Sequence, residues 1–331
     1  MALVTTSPSL PRHKRAKVAS RRPLDSLLVA TVYDAADLSR AEVRLLDTAS
    51  GAVVARLDGL GDGGLGVCGD LLCLVGAGGA AVRVINPATG AVTEFPGRAA
   101  AHGARPTSSA FVFGHVPATG EYKVLCVYAV HGKPGQSCDV VTLAGGEQCW
   151  RPAQSPPMCV EMSNPRSRAV TQGVAHFLSP NTVESDSIAS FDLDKEEWRP
   201  TLIRGPLSGE GRHCCRSQLS LAELNGYLVM VHHNFQDRSM DLYFLSDPVT
   251  GTWSGKNSLS FTSILRDQER MARPLMMLVD GSIVFWVAQP NGTLRVYNPS
   301  TGACKDVAQL GKTCSIVGAI QKGHFSVHVK V

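Results

Sequence analysis

The sequence predicts an all-β chain closed into a single β-propeller of about six antiparallel blades. Three observations point there. One strand–turn–strand phrase recurs along the chain, amphipathic helical stretches are almost absent, and the turn glycines of neighbouring strong copies lie at blade-like intervals, 39 residues from Gly51 to Gly90 and 51 from Gly251 to Gly302.

The strong copies of the phrase are Val82–Gly90, Leu242–Trp253 and Leu294–Gly302, reading VRVINPATG, LYFLSDPVTGTW and LRVYNPSTG. Weaker copies span Val43–Gly51 and Ile188–Trp198, and His115–Gly120 repeats the turn alone. Alternating apolar residues place one strand face on a core, Pro presets φ, Asn or Asp bonds back to the backbone, and Gly accepts the positive φ that closes the turn. In the copy at 188–198 the glycine is lost, and Lys195 is expected to stand in its place. Ahead of several copies a tight turn feeds an apolar run, as at Val67–Val75, Leu224–Val231 and Val279–Val287, where Asn225-Gly226 and Asp280-Gly281 are strong hairpin signals. These pairs predict blades at roughly 24–60, 61–105, 106–157, 165–207, 213–262 and 272–331. Closure requires the ends to share a blade, so Phe325–Val331 is expected to pair beside Ser26–Tyr33 or Val43–Leu46.

Composition suits this architecture. With 331 residues, 44% of them hydrophobic, the chain can bury a large core, and its 32 Gly and 19 Pro suit tight turns. It has no apolar run of membrane-spanning length and no hydrophobic signal core in Met1–Leu10, so a soluble protein of the cytoplasm or nucleus, or both, is expected, with no membrane partner. Cys68, Cys73, Cys126, Cys159 and Cys314 sit in or beside apolar runs and read as reduced, buried hydrophobes. The same setting makes Asn291-Gly292-Thr293 a hairpin turn rather than a glycosylation site.

Charge is concentrated at the start. Of the 32 basic residues, six (Arg12, Lys14, Arg15, Lys17, Arg21 and Arg22) fall within residues 1–22, which carry no acid; 26 bases against 28 acids remain. Residues 1–23 read as a disordered basic leader, with Lys14, Arg15, Lys17, Arg21 and Arg22 as a nuclear-localisation candidate, ahead of a propeller domain over 24–331. The near-neutral body gives no basis for a specific nucleic-acid surface.

Catalytic signatures fare poorly. Gly59–Gly64 matches a dinucleotide pattern, yet no helix follows to present its N-terminus to a pyrophosphate, so it reads as a loop between blades. His213-Cys214-Cys215 with His232-His233 supplies soft ligands, but adjacent cysteines chelate one ion poorly and no spaced second pair completes a zinc site. No catalytic residue, metal or cofactor is therefore assigned. Trp150, Trp198 and Trp253 recur at similar register after hairpin turns, the pattern of a repeated core aromatic, and Trp286 likewise reads as core.

Several ordered motifs then converge. Leu71-Leu72-Cys73-Leu74, Val84–Gly90, Phe95-Pro96, Phe113-Gly114 and Gly120–Leu125 follow one another, and Phe191-Asp192-Leu193, Glu197-Trp198, Leu224–Leu228 and Asp241-Leu242-Tyr243 ahead of Trp253 continue the series. Over roughly residues 40–331 this order resembles the associated interaction domain of plant F-box proteins, a kelch-like propeller. The resemblance implies a substrate-recognition subunit of an SCF-type ubiquitin ligase: a non-enzymatic propeller that binds a target protein, joined to a Skp-type adaptor and cullin through an F-box. No recognisable F-box is present; only Pro23–Val29 echoes its opening, so the alternatives are a divergent docking element or a propeller without adaptor docking. A reading from another class is a kelch-like propeller enzyme or carbohydrate-binding domain working at the central channel. Target contacts are expected from loops on one face, with candidates in 76–80, 131–137, 161–168 and 234–239, chiefly His131, Lys133, Arg166, Arg168, Asn234, Gln236 and Arg238.

Overall fold

A computed structural model describes residues 26–33, 41–57, 64–76, 81–97, 106–132, 134–143, 149–180, 186–207, 218–311 and 313–321. They form six antiparallel sheets arranged as the blades of a propeller. Blade 1 contains β1 (Ser26–Tyr33), β2 (Ala41–Asp47) and β3 (Val53–Leu57); blade 2 is β4 (Gly64–Cys68), β5 (Leu71–Val75), β6 (Ala81–Asn86) and β7 (Ala91–Pro96). Blade 3 is β8 (Ser108–His115), β9 (Tyr122–Ala129), β10 (Ser137–Thr142) and β11 (Arg151–Ala153). Blade 4 is β12 (Arg168–Thr171), β13 (Val174–Leu178), β14 (Ile188–Asp192) and β15 (Glu197–Trp198). Blade 5 comprises β16 (Leu219–Leu224), β17 (Tyr227–Asn234), β18 (Ser239–Asp247), β19 (Thr252–Trp253) and β20 (Asn257–Ser260), followed by the one-turn helix α1 (Phe261–Ile264). Blade 6 is β21 (Arg270–Met277), β22 (Ile283–Gln289), β23 (Thr293–Tyr297) and β24 (Cys304–Gln309), and β25 (Cys314–Gln321) returns to blade 1.

The ring closes as expected by strand sharing, but with a different strand. Cys314–Gln321 pairs antiparallel with Ser26–Val32, from Ser26↔Gln321 to Val32↔Cys314, and Phe325–Val331 lies outside the described residues. The final segment 272–331 is therefore divided between two blades. Ser26–Tyr33 is already paired on both edges, with Ala41–Asp47 and with Cys314–Gln321, so no ladder position beside it is left for another strand. Ile320 packs with Leu27 and Val29 on one side, and Cys314 packs with Leu28 and Ala30 on the other.

The recurring turn behaves as its chemistry dictates. The Oδ1 of Asp47, Asn86, Asp192, Asp247 and Asn298 each accepts the backbone N–H groups two and three residues on, at 2.8–3.4 Å. Four residues past the Asx, Gly51, Gly90, Gly251 and Gly302 have φ near +70°. In blade 4 that position is Glu196, at φ 57°, and not Lys195, whose N–H is one of the two held by Asp192. Asn225 and Gly226 both have positive φ in a two-residue hairpin, as do Gln172 and Gly173. Asp280-Gly281 instead belongs to a five-residue loop between Met277 and Ile283, where the Asp280 carboxylate accepts both the N–H and the hydroxyl of Ser282 at 2.9 Å.

Apolar clusters fill the spaces between blades. One joins Leu125, Val140, Phe177, Phe191 and Trp198 across blades 3 and 4; another joins Val229, Leu242, Phe285 and Tyr297 across blades 5 and 6. Trp150, Trp198 and Trp286 are buried and Trp253 is half-buried. Three of these indoles also latch neighbouring blades: Nε1–H of Trp150 donates to the Pro96 carbonyl at 2.9 Å, that of Trp198 to Gln154 at 2.9 Å and that of Trp253 to Arg204 at 2.8 Å. Each bond runs from one blade to the chain leaving the blade before it. Cys73, Cys126 and Cys314 are buried and Cys68 is half-buried, while Cys159 is exposed because Met158–Ser163 runs over the loop between blades 3 and 4 rather than along a strand.

Candidate interaction site

Antiparallel order divides the connections between two faces. In blades 2 to 6 the turns from first to second and from third to fourth strand lie at one end, as does the β2–β3 turn of blade 1, and these hold the short Asx–Gly and hairpin turns. At the other end lie the links between blades and the second-to-third strand loops. His131, Arg166, Arg168, Asn234, Gln236 and Arg238 all fall at this second end, the loop face. Lys133, residues 77–80 and the leader with Lys14, Arg15, Lys17, Arg21 and Arg22 lie outside the described residues, as do Gly59–Gly63 and His213-Cys214-Cys215.

These side chains do not share one environment. His131, Gln236 and Arg238 are exposed. Asn234 is buried and organises its loop: its Nδ2 donates to the Asp237 carboxylate at 2.8 Å and its Oδ1 accepts the Asp237 N–H at 3.0 Å, so it is a loop-building residue rather than a contact residue. Beside it Phe235 is 49% exposed, stacked 6.4 Å from the His233 ring and edge-on to Phe261 at 5.8 Å. Gln136, which sequence reading missed, fastens the long link 154–167 to blade 3 by bonding both to the Val160 carbonyl at 2.8 Å and to its N–H at 2.7 Å.

Arg166 and Arg168 flank the point where the chain enters blade 4. Asn164 caps a single 3-10 turn at Pro165–Ser167 by accepting the Arg166 N–H at 3.0 Å, and this turn lies against β16 of the next blade. Arg168 opens the inner strand β12, and its Nη1 donates to the Met162 carbonyl at 3.3 Å. Both side chains are half-buried, as is Arg273 on the inner strand of blade 6. Burial lowers the Arg168 guanidinium to about 10; burial and then the charge of Arg166 lower Arg273 to about 10. Arg166 also disfavours charge on His233, after burial itself, while the His233 Nε2 bonds to the Ala272 carbonyl at 2.8 Å.

The far end of the ring has the opposite sign. Glu223 on β16 is exposed, yet crowding by surrounding atoms raises its carboxyl against the opposing bond from the Gly226 N–H. Its charge adds to the burial that pushes the Cys68 thiol of blade 2, across the ring, up to about 11. Arg168 thus lies at the loop-face end of the inner strand of blade 4, and Glu223 at the turn-face end of the inner strand of blade 5.

A Ser–His–Asp set also occurs on the loop side of blade 5, but its wiring is structural. Ser239 and Ser258 donate to Asp241 at 3.1 and 2.5 Å, Lys256 pairs with it at 2.9 Å, and the His232 Nδ1 stands 3.6 Å away. Burial raises the Asp241 carboxyl, and these donors together drive it far below the carboxylate range. Both hydroxyls face the acid and not the imidazole, so neither is a nucleophile paired with a base. Among the described residues no three His, Cys, Asp or Glu side chains gather to hold a metal ion, and no helix is long and apolar enough to cross a membrane.

Comparison with curated proteins found no match. Among solved structures, the chain is similar to the dihydro-heme d1 dehydrogenase NirN in complex with DHE, at 12% identity and TM-score 0.44, covering 95% of this chain and 80% of that one. It is also similar to an oligogalacturonate lyase in complex with manganese, at 13% identity and TM-score 0.44, covering 87% and 86%, and to AztD of Citrobacter koseri, at 10% and 0.36, covering 85% and 69%. These scores carry no argument about what the present chain does. The family pattern for the F-box associated beta propeller domain, in contrast, matches residues 67–308, from blade 2 to blade 6, and the chain belongs to that family.

Proposed function

We propose that this chain is a non-enzymatic recognition propeller whose loop face docks a target protein. The observation that carries the reading is the division between faces within an interaction-domain family. Short turns satisfied by their own Asx side chains build one end, while the links between blades and the loops bearing the exposed His131, Phe235, Gln236 and Arg238 lie at the other. In the finer form of the proposal it delivers that target to a Skp-type adaptor and cullin. Ser26–Val29, the described part of the stretch that echoes an F-box opening, is committed to the β1 ladder of blade 1, so the proposal seeks the adaptor contact outside that segment. The basic leader is proposed to direct the protein to the nucleus, which deletion of residues 1–22 from a tagged chain tests by a change of compartment.

Affinity capture of the full chain from plant extract tests the function. Recovery of adaptor and cullin supports the ligase receptor; recovery of another stoichiometric protein without them supports a free-standing recognition module. In either case, combined substitution of His131, Gln236 and Arg238 by Ala is expected to reduce target capture at least tenfold. Unchanged capture by the folded variant refutes docking on this face.

A further inference from the structure

We infer that the inner turns, at the end opposite the loop face, form a docking surface for this chain's own basic leader, residues 1–22, through the exposed side chains of Tyr227 and Val279 and the carboxylates around them. The inference concerns the other face from the recognition reading and does not rest on it.

The surface is continuous from blade to blade. These turns join first to second strands, at Gly69-Asp70, Val116–Glu121, Gln172-Gly173, Asn225-Gly226 and Leu278–Ser282. The Tyr122 hydroxyl donates to Asp70 at 3.2 Å across blades 3 and 2, and Gln172 Nε2 donates to the Gly226 carbonyl at 3.4 Å across blades 4 and 5. Between them a Cβ on Gly173 would stand 2.9 Å from Pro117 Cδ of blade 3. Phe244 of blade 5 and Met277 of blade 6 pack on one apolar cluster, and Leu278 packs on a cluster that holds Leu28 of blade 1. Two large apolar side chains are left open on this surface: Tyr227, 50% exposed and edge-on to Phe244 at 6.4 Å, and Val279, 75% exposed.

Charge and tethering select the occupant. The five turns, with Glu223 beside them, carry Asp70, Glu121, Glu223 and Asp280 and no Lys or Arg. These carboxylates accept only from neutral groups, namely the hydroxyls of Tyr122, Thr119 and Ser282 and the N–H groups of Gly226 and Ser282, and among the described residues none has a cationic partner. Acids elsewhere are paired, as Glu42 is with Arg44, Glu196 with Lys123 and Glu269 with Arg295. Residues 1–22 have the complementary make-up, six bases and no acid, with Leu10 and Val18 among them. They also join the propeller at this surface. Ser26 opens β1 level with Gln321, at the end where the inner turns lie, and only Pro23–Asp25 separates it from Arg22, which therefore stays within about 14 Å of the rim. Each exposed ion pair is weak, but a short tether gives an effective concentration in the millimolar range, and guanidinium also binds the face of an exposed Tyr ring. The segment after Gln321 leaves at the same end, yet residues 322–331 hold only Lys322 and Lys330 against the leader's six bases.

The test is zero-length carbodiimide cross-linking, which joins a lysine amine to a carboxylate in contact with it, on a mixture of ordinary and isotope-labelled full chain, read by mass spectrometry. Docking predicts links from Lys14 or Lys17 to Asp70, Glu121, Glu223 or Asp280 within one chain, with a yield at least tenfold lower at about 1 M salt, where the screening length is about 3 Å. Replacing the exposed Tyr227 and Val279 by Ser should lower the yield at least threefold at an unchanged melting temperature. Leader links spread evenly over acids of the loop face and outer strands, links between differently labelled chains, links from Lys322 or Lys330 in place of the leader's, an unchanged yield in the folded Ser variant, or no leader link at all overturns the inference. Target capture is not read in this experiment, so absent leader links leave the loop-face reading standing, and capture unchanged by the His131, Gln236 and Arg238 substitutions leaves the docked leader standing.

Discussion

Glu196→Gly installs the residue that the other copies of the turn carry, yet it is expected to destabilise the propeller. The backbone contributions nearly cancel. Holding a non-glycine residue at φ 57° costs about 1–2 kcal/mol, while glycine regains about 0.5–1 kcal/mol of freedom in the unfolded chain. The carboxylate decides the sign. Its Oε1 accepts from Lys123 Nζ at 2.9 Å and from Arg151 Nη2 at 2.5 Å, joining blade 4 to blade 3, and the Lys123 side chain is 7% exposed. Breaking a fully buried pair from one side costs about 3–5 kcal/mol. Glu196 is 26% exposed and Arg151 41%, so water screens part of the interaction and about 2 kcal/mol remains. The expected net loss is about 1–2 kcal/mol, read as a lower urea midpoint at unchanged slope.

The pH dependence of that loss identifies its cause. Burial opposes ionisation of Glu196, but the bonds from Lys123 and Arg151 outweigh it and hold the carboxyl below its ordinary 4.5. A depressed acid contributes stability that is complete above its unfolded value and is lost as pH falls through its folded value. The gap between parent and variant should therefore be full near about pH 7 and shrink as the pH drops below about 4.5. A glycine variant at least as stable as the parent at neutral pH, or a gap unchanged in acid, would show that the ion pairs do not hold this turn.

Gly114→Ala would place a Cβ 2.4 Å from Leu193 Cδ1 and 3.1 Å from Val170 Cγ1, wedging blades 3 and 4 apart, and should cost about 1–3 kcal/mol; an unchanged melting temperature would contradict the packing. A chain stopped after Thr313 loses all of β25 and should not unfold cooperatively, whereas one stopped after Gln321 keeps the closing ladder; equal melting of the two would refute closure by Cys314–Gln321. His176, between Thr171 Oγ1 at 3.0 Å and Ser190 Oγ at 2.9 Å, is lowered by burial and then by the charge of Arg199 to about 3, so it stays neutral when folded. The unfolded chain takes up the proton first, and stability should fall by about 1.4 kcal/mol per pH unit below about 6.5 on its account. His176→Gln should flatten that slope, and an NMR titration of His176 near its ordinary 6.5 would refute the assignment.

What the sequence made legible was local. Turn identity, strand identity and blade count follow from Asx, Pro, Gly and period-2 alternation, which act over fewer than about ten residues. The errors fell where a distant partner takes over. Nothing within Asp192–Trp198 shows that Glu196 tolerates a left-handed φ, because Lys123 and Arg151 lie in another blade. The closing strand was misplaced because Phe325–Val331 alternates more cleanly than Cys314–Gln321, and pairing across about 290 residues leaves no local mark. At the candidate site, Arg166 and Arg168 were singled out as loop polars, but the effect of Arg166 on Arg273 and His233 exists only once blades 4 to 6 are set side by side. Asn234 misled for the converse reason: an Asn at a loop tip is polar whether it meets solvent or caps its own turn.

The fastenings of the ring explain why the loop face is open to recognition. Blades 2 and 3, 3 and 4, and 4 and 5 are latched by the indoles of Trp150, Trp198 and Trp253. Blades 5 and 6 are joined by His233 to Ala272 and by Arg295, which is 1% exposed and bonds to Ile264 and Glu269 on the link between them and to Asp306. Blade 6 meets blade 1 through the shared strand β25, with Gly51 of blade 1 set tightly against Ala308, and blades 1 and 2 meet through Leu27, Val29, Leu45, Leu72 and Ile85. The exposed side chains of His131, Gln236 and Arg238 supply none of these fastenings, whereas Phe235 packs on His233 and Phe261. Substituting His131, Gln236 and Arg238 should leave the melting temperature nearly unchanged while altering what the propeller holds, whereas substituting a latch should lower stability first and binding only as a consequence.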